Sequence, residues 1–157
     1  MAWVSGSARR TFRIRAPRAR VYEFLTTPDQ ISEALIDLER KELLDPATAR
    51  FTYKARTERG VTFQADCTVR YTGNGTDQVQ WAPHGDAPRT LKCSGSARLR
   101  ELGGDLTEVV YEENSSTDLP IPGLLARVFK PILAREIKKG VHEYLDRVKA
   151  VLERPGA

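Results

Sequence analysis

The sequence predicts an α+β domain in which a curved antiparallel β-sheet wraps around one long C-terminal α-helix, with two short helices after the first strand. Three observations predict it. Several segments between residues 51 and 111 alternate apolar and polar side chains with a period of two, as half-buried strands do. Glycine-rich turns join those segments as hairpins would. Beyond Ile121 the period changes to that of an amphipathic helix.

In chain order, Thr11 to Ala16 sets Phe12 and Ile14 against Thr11, Arg13 and Arg15, which reads as a strand ending near Pro17. Proline suits a first helical turn, and Val21, Tyr22, Phe24 and Leu25 follow at helical spacing until Thr27-Pro28-Asp29 interrupts them. A second short helix from Asp29 to about Leu35 is expected. Phe51, Tyr53 and Ala55 then open a run of strands.

Val61 to Tyr71 is the cleanest strand pattern: Val61, Phe63, Ala65, Cys67, Val69 and Tyr71 share one face, and Thr62, Gln64, Asp66, Thr68 and Arg70 the other. Val79 and Trp81 repeat the pattern, as do Leu91, Cys93, Gly95, Ala97 and Leu99. One dry and one wet face is what antiparallel sheets permit and buried parallel sheets do not. Gly73-Asn74-Gly75 and Gly103-Gly104-Asp105 supply the positive φ angles of short hairpin loops. If consecutive strands pair, one strand separates Cys67 from Cys93, which places them about 10 Å apart and beyond disulfide reach.

The strand from Leu106 to Ser116 turns Val109 and Tyr111 inward, and by alternation Glu113 and Ser115 as well, although Val110 breaks the rhythm. In the last segment Ile137, Val141, Tyr144, Val148 and Val151 recur at helical intervals, with Lys138, Lys139, Arg147 and Lys149 elsewhere on the wheel. Pro131 removes a backbone donor, so a kink there or a separate turn spanning Gly123 to Lys130 is expected.

The chain has 157 residues, 40% hydrophobic and 29% charged, which suits one globular domain and excludes a disordered or fibrous chain. No apolar run approaches a membrane span, and Arg9, Arg10, Arg13 and Arg15 stand where a signal peptide needs its apolar core. A cytoplasmic protein with two reduced thiols is the expectation. The net charge of +4 is uneven, with six arginines before Glu23 and an acidic stretch from Glu101 to Asp118. It reads first as a solvated charged face.

Phe12-Arg13-Ile14-Arg15-Ala16-Pro17 running into Val21-Tyr22-Glu23-Phe24-Leu25 and Thr27-Pro28-Asp29 carries a resemblance, together with Gly104-Asp105-Leu106-Thr107-Glu108-Val109-Val110-Tyr111 and the helix after Leu119-Pro120-Ile121-Pro122-Gly123. With this element order, the chain resembles the START/Bet v 1-like helix-grip (SRPBCC) superfamily, including its bacterial polyketide cyclase-like and lipid-transfer-like members. The resemblance covers nearly the whole sequence and implies an internal cavity for a small hydrophobic or amphipathic ligand such as a lipid, polyketide or isoprenoid-like molecule. It names architecture rather than chemistry.

Candidate lining residues are Phe51, Tyr53, Phe63, Cys67, Trp81, Cys93, Tyr111 and Glu113 from the sheet, with Phe129, Ile132, Leu133 and Ile137 from the helix. Each apolar one has a plainer reading as core. Tyr53 and Tyr111 are more telling, because a buried phenol needs a hydrogen-bond partner. Glu113 is the sharpest: a carboxyl in an apolar concavity has a raised pKa and can act as acid, base or anchor for a cation, whereas the bland reading places it at the rim, solvated or paired with an arginine.

No nucleophilic triad, metal-ligand spacing, phosphate loop or dinucleotide fingerprint occurs, and neither a metal nor a cofactor is expected. His84 reads as a loop residue and His142 as a helix-edge residue. The strand aromatics lie opposite the basic positions, which argues against nucleic acid. The N-terminal arginines and helix lysines suit transient contact with an anionic membrane, with Leu124, Leu125, Val128 and Phe129 as a portal. Binding or transfer of a ligand is the leading expectation. A cyclase or aromatase-like enzyme using Glu113 or Tyr111 and a co-chaperone-like interaction module are the alternatives; the residues name no cargo and set no oligomeric state.

Overall fold

The structure, a computed structural model, describes residues 2–87 and 89–155. Strand β1 (Ala2–Ile14) leads into helices α1 (Arg18–Thr26) and α2 (Pro28–Ile31). Strands β2 (Leu38–Asp45), β3 (Thr48–Tyr53), β4 (Arg56–Glu58), β5 (Val61–Phe63), β6 (Asp66–Gly73), β7 (Gln78–Pro83), β8 (Leu91–Gly103) and β9 (Leu106–Leu119) follow, and helix α3 (Gly123–Leu152) ends the fold. An antiparallel seven-stranded sheet has the order β1-β9-β8-β7-β6-β3-β2, and β4 and β5 form a separate hairpin. The α+β helix-grip expectation is met by this open sheet and its terminal helix.

Five elements differ from the sequence expectation, among them α2, which ends at Ile31 and continues as turns instead of running as a helix to about Leu35. The first strand begins at Ala2 rather than Thr11, because Ala2, Val4 and Ala8 continue its buried face with small residues. Strand β2 is nearly all exposed and its register slips at both ends, so its charged sequence carries no apolar alternation. The Val61–Tyr71 run is two strands, β5 and β6; the break at Gln64-Ala65 leaves the parity intact, so the same side chains still face inward. Helix α3 is one continuous element through Pro131, not a separate turn followed by a helix. Phe129 and Leu133, buried on either side of the proline, hold both segments on one axis while Pro131 itself faces solvent.

The main core joins α1, the inner sheet face and the C-terminal half of α3, with Val21, Phe24, Phe51, Val79, Val109, Leu145 and Val148 almost without solvent contact. A second cluster of Ala2, Val4, Leu119, Ile121, Phe129 and Leu133 closes the N-terminal half of α3 against the ends of β1 and β9. The helix rests chiefly on β1. Gly6 makes that contact close, since a Cβ there would stand 3.1 Å from the Ala134 Cα and 3.0 Å from Ile137 Cδ1. The helix therefore leans on one side of the sheet and leaves room over β3, β6, β7 and β8.

Candidate functional site

That room is a cavity of about 370 Å³. Phe51 and Tyr53 of β3, Cys67, Val69 and Tyr71 of β6, and Trp81 of β7 form one wall. Tyr111, Glu113 and Ser115 of β9 continue it, and Leu133, Ile137, Val141 and Tyr144 of α3 face it. The volume lies within the range of ligand-binding pockets, and away from its charged mouth the lining is mainly apolar and aromatic.

Cross-strand register explains why the polar groups meet. Tyr71 pairs with Trp81, Trp81 with Gly95, Gly95 with Glu113, and Glu113 with Ala8, so one row crosses β6, β7, β8, β9 and β1. Gly95 is the gap in that row. A Cβ there would lie 2.5 Å from Trp81 Cζ2 and would also strike the Glu112 carbonyl, so only glycine lets the indole lie across β8 toward Glu113. Trp81 stacks on Tyr111 with ring centroids 4.9 Å apart, and Tyr71 and Tyr144 flank them at 6.1 and 6.3 Å.

The Tyr111 hydroxyl donates to Glu113 Oε1 at 3.1 Å. Burial pushes the Glu113 carboxyl up to about 7, against the opposing effect of Tyr111, Trp81 and Ser115, which favour its ionised form. The Trp81 indole N–H is buried without a hydrogen bond of ordinary geometry and has this carboxyl as its polar neighbour. Among the described residues no Lys, Arg or His pairs with Glu113, which corrects the reading that placed it at the rim beside an arginine. Its partial exposure is to the cavity. Burial also raises the phenols of Tyr53, Tyr71, Tyr111 and Tyr144 above their ordinary value, and the nearby Glu113 charge raises each further.

The cysteines are closer than the strand count implies. Strand β7 ends at Pro83, and beyond it β6 and β8 meet directly, with the Thr90 N–H donating to the Asp66 carbonyl at 3.2 Å and the Asp66 N–H to Thr90 Oγ1 at 3.0 Å. That brings the Cys67 and Cys93 thiols close to one another across the gap, and both are free. The separation of about 10 Å expected from strand counting fails because no strand lies between them at that level. The contact with Cys67, followed by burial, pushes the Cys93 thiol well up. The Ser115 hydroxyl donates to Cys93 Sγ at 3.6 Å.

Of the residues singled out in the sequence, all but Phe129 and Ile132 line the cavity. Phe129 lies one turn before Leu133, past the end of the cavity, and packs into the second cluster. Ile132 is rotated about 100° from Leu133 and misses the space. Tyr71 and Tyr144 were legible as inward positions but not as members of the polar end; their register with Trp81 and Tyr111 is what places them there. Leu124 and Val128 are 79% and 58% exposed, whereas Phe129 is buried, so the stretch before Pro131 is not one surface, and none of these residues lines the cavity. His84 is exposed in a loop, and the His142 carbonyl accepts from Arg10 Nη1 at 3.2 Å.

Charged side chains mark the mouth. Arg56 bridges Glu58 at 3.2 Å and Glu136 at 3.4 Å, tying the β4–β5 hairpin to α3, and Asp37, Lys54, Lys139 and Glu143 stand around it. Among the described residues no group of His, Cys, Asp and Glu is arranged to hold a metal ion, and no helix is long and apolar enough to cross a membrane.

No protein-family model matches the sequence, and no curated protein matches it. Solved structures do. The Zhui aromatase/cyclase from Streptomyces sp. R1128 superposes with a TM-score of 0.72 at 16% identity, covering 96% of this chain and 94% of that one. A START superfamily protein from Mycobacterium smegmatis gives 0.68 at 12% identity over 94% and 97% of the two chains. The di-domain aromatase/cyclase StfQ of the steffimycin biosynthetic pathway gives 0.60 at 14% identity, covering 96% of this chain and 52% of that one. At these identities the likeness establishes architecture, and the chain has a START-like (SRPBCC) helix-grip fold.

Proposed function

We propose that this protein binds a small, largely apolar molecule in the space between the sheet and α3. The observation that carries this reading is the cavity of about 370 Å³ with apolar walls between a charged mouth and an inner end where the Glu113 carboxyl meets the tyrosines. The START-like neighbours support it by architecture. A ligand would bury its body against Phe51, Val69, Ile137 and Val141 and its polar end against Glu113 and the tyrosines. Native mass spectrometry of the protein purified from its own host tests the reading: a bound small molecule, lost on denaturation, is expected. Ligand-free protein that also fails to take up apolar probes would refute it.

A second reading is favoured by one feature. A carboxyl poised at about 7 at the inner end of a largely apolar cavity is suited to proton transfer, as in an aromatase or cyclase, where the walls hold a reactive chain folded and Glu113 moves the proton. In that case Glu113→Gln abolishes turnover of a polyketone thioester analogue while leaving its binding within about threefold. Equal loss of both would assign Glu113 to binding alone.

A further inference from the structure

Among the described residues none supplies a counter-charge to Glu113. Six titratable groups face it: Tyr53 from β3, Cys67 and Tyr71 from β6, Cys93 from β8, Tyr111 from β9 and Tyr144 from α3. None of them can become a cation. The cations that touch the cavity, Lys54, Arg56 and Lys139, stand at its mouth among Asp37, Glu58, Glu136 and Glu143. Aromatic faces add to the bias, because a ring's π-face is negative and Trp81 is flanked by Tyr111 and Tyr71. The inner end is therefore a carboxyl ringed by phenols and an indole inside an otherwise apolar space.

From this arrangement we infer that the ligand's polar end is an ammonium group: the molecule is an amphipathic amine whose cation sits beside Glu113 among the rings. The inference rests on the cavity-binding reading and narrows it. Electrostatics orders the alternatives. An anion would meet the Glu113 carboxylate with no positive partner to offset the repulsion, which the neutral phenol O–H groups answer only as hydrogen-bond donors. A neutral alcohol would satisfy one hydrogen bond and leave the carboxyl uncompensated. An ammonium supplies the missing charge, and by doing so pulls the Glu113 carboxyl down and expels its proton.

The test uses three probes with one tail, octyltrimethylammonium, 1-octanol and octanoate, titrated calorimetrically into the full chain at about pH 7.5. The ammonium is expected to bind at least about tenfold more tightly than octanol, with octanoate weakest. In Glu113→Gln the preference for the ammonium over octanol collapses toward parity. Should that variant fail to fold, wild-type titrations at about pH 7 in two buffers of different ionisation enthalpy read the same event. Proton release with the ammonium and none with octanol is expected there. Octanol or octanoate binding as tightly as the ammonium, or ammonium binding without proton release, would overturn the inference while leaving the cavity reading intact. Binding of none of the three would overturn both.

Discussion

Replacing Glu113 by glutamine should stabilise the protein at alkaline pH and leave it unchanged at acid pH. The carboxyl is pushed from an ordinary 4.5 to about 7 by burial. Between those values the folded chain holds a proton that the unfolded chain has lost, so stability is full below about 4.5, falls as pH rises, and is lowest above about 7. At about 1.4 kcal/mol per pH unit the interval corresponds to roughly 3 kcal/mol, an upper figure because the side chain is partly open to the cavity. Glutamine mimics the protonated acid, can still accept from the Tyr111 hydroxyl, and does not ionise. Urea titrations of both proteins from about pH 3.5 to 8.5, taken as a difference, cancel every other titrating group. With an m-value of about 2 kcal/mol per M, the variant's midpoint should exceed that of the wild type by up to about 1.5 M at the alkaline end and match it at the acid end. A difference that stays flat with pH, or a variant less stable at alkaline pH, would refute the assignment of Glu113 as a buried, uncompensated carboxyl.

Gly95→Ala should cost about 1–3 kcal/mol and change tryptophan fluorescence, since the new methyl displaces the Trp81 indole from its place across β8; an unchanged spectrum would contradict the packing. Pro131→Ala should raise thermal stability by at least about 1 kcal/mol, because the proline leaves the Arg127 carbonyl without its helical donor at a solvent-facing position. Differential scanning calorimetry reads the change. Cys93 should react with iodoacetamide at pH 8 far more slowly than a free thiol, as expected for a thiol held protonated by burial and by Cys67, with mass spectrometry locating the label.

How much the sequence disclosed depended on whether a signal was periodic or positional. Alternation in Val61 to Tyr71 identified the inward face even though the run is two strands, because an interruption of two residues preserves parity. It could not reveal β2, whose side chains face solvent along almost its whole length and so were never under pressure to alternate. Inward orientation of Glu113 followed from parity with Val109 and Tyr111, but its isolation from every arginine is a matter of register across five strands, which no local pattern encodes. Gly95 stood in plain view as a small inward residue; that it exists to admit an indole became visible only when Trp81 was found opposite it. The cysteine contact was hidden for a related reason, since strand counting assumes that every strand runs the full height of the sheet.

The seam between Gly6 and α3 has a mechanical consequence. Along one margin α3 is held by the tight backbone approach at Gly6, Ala134 and Ile137, which a side chain at position 6 would pry apart. On the opposite margin the helix is held over the entrance by the Arg56–Glu136 contact, a bond between two partly solvated side chains that water readily replaces. If a ligand is held as proposed, strain at that entrance falls first on this ion pair, while the Gly6 seam and the core beneath Val141, Leu145 and Val148 stay packed.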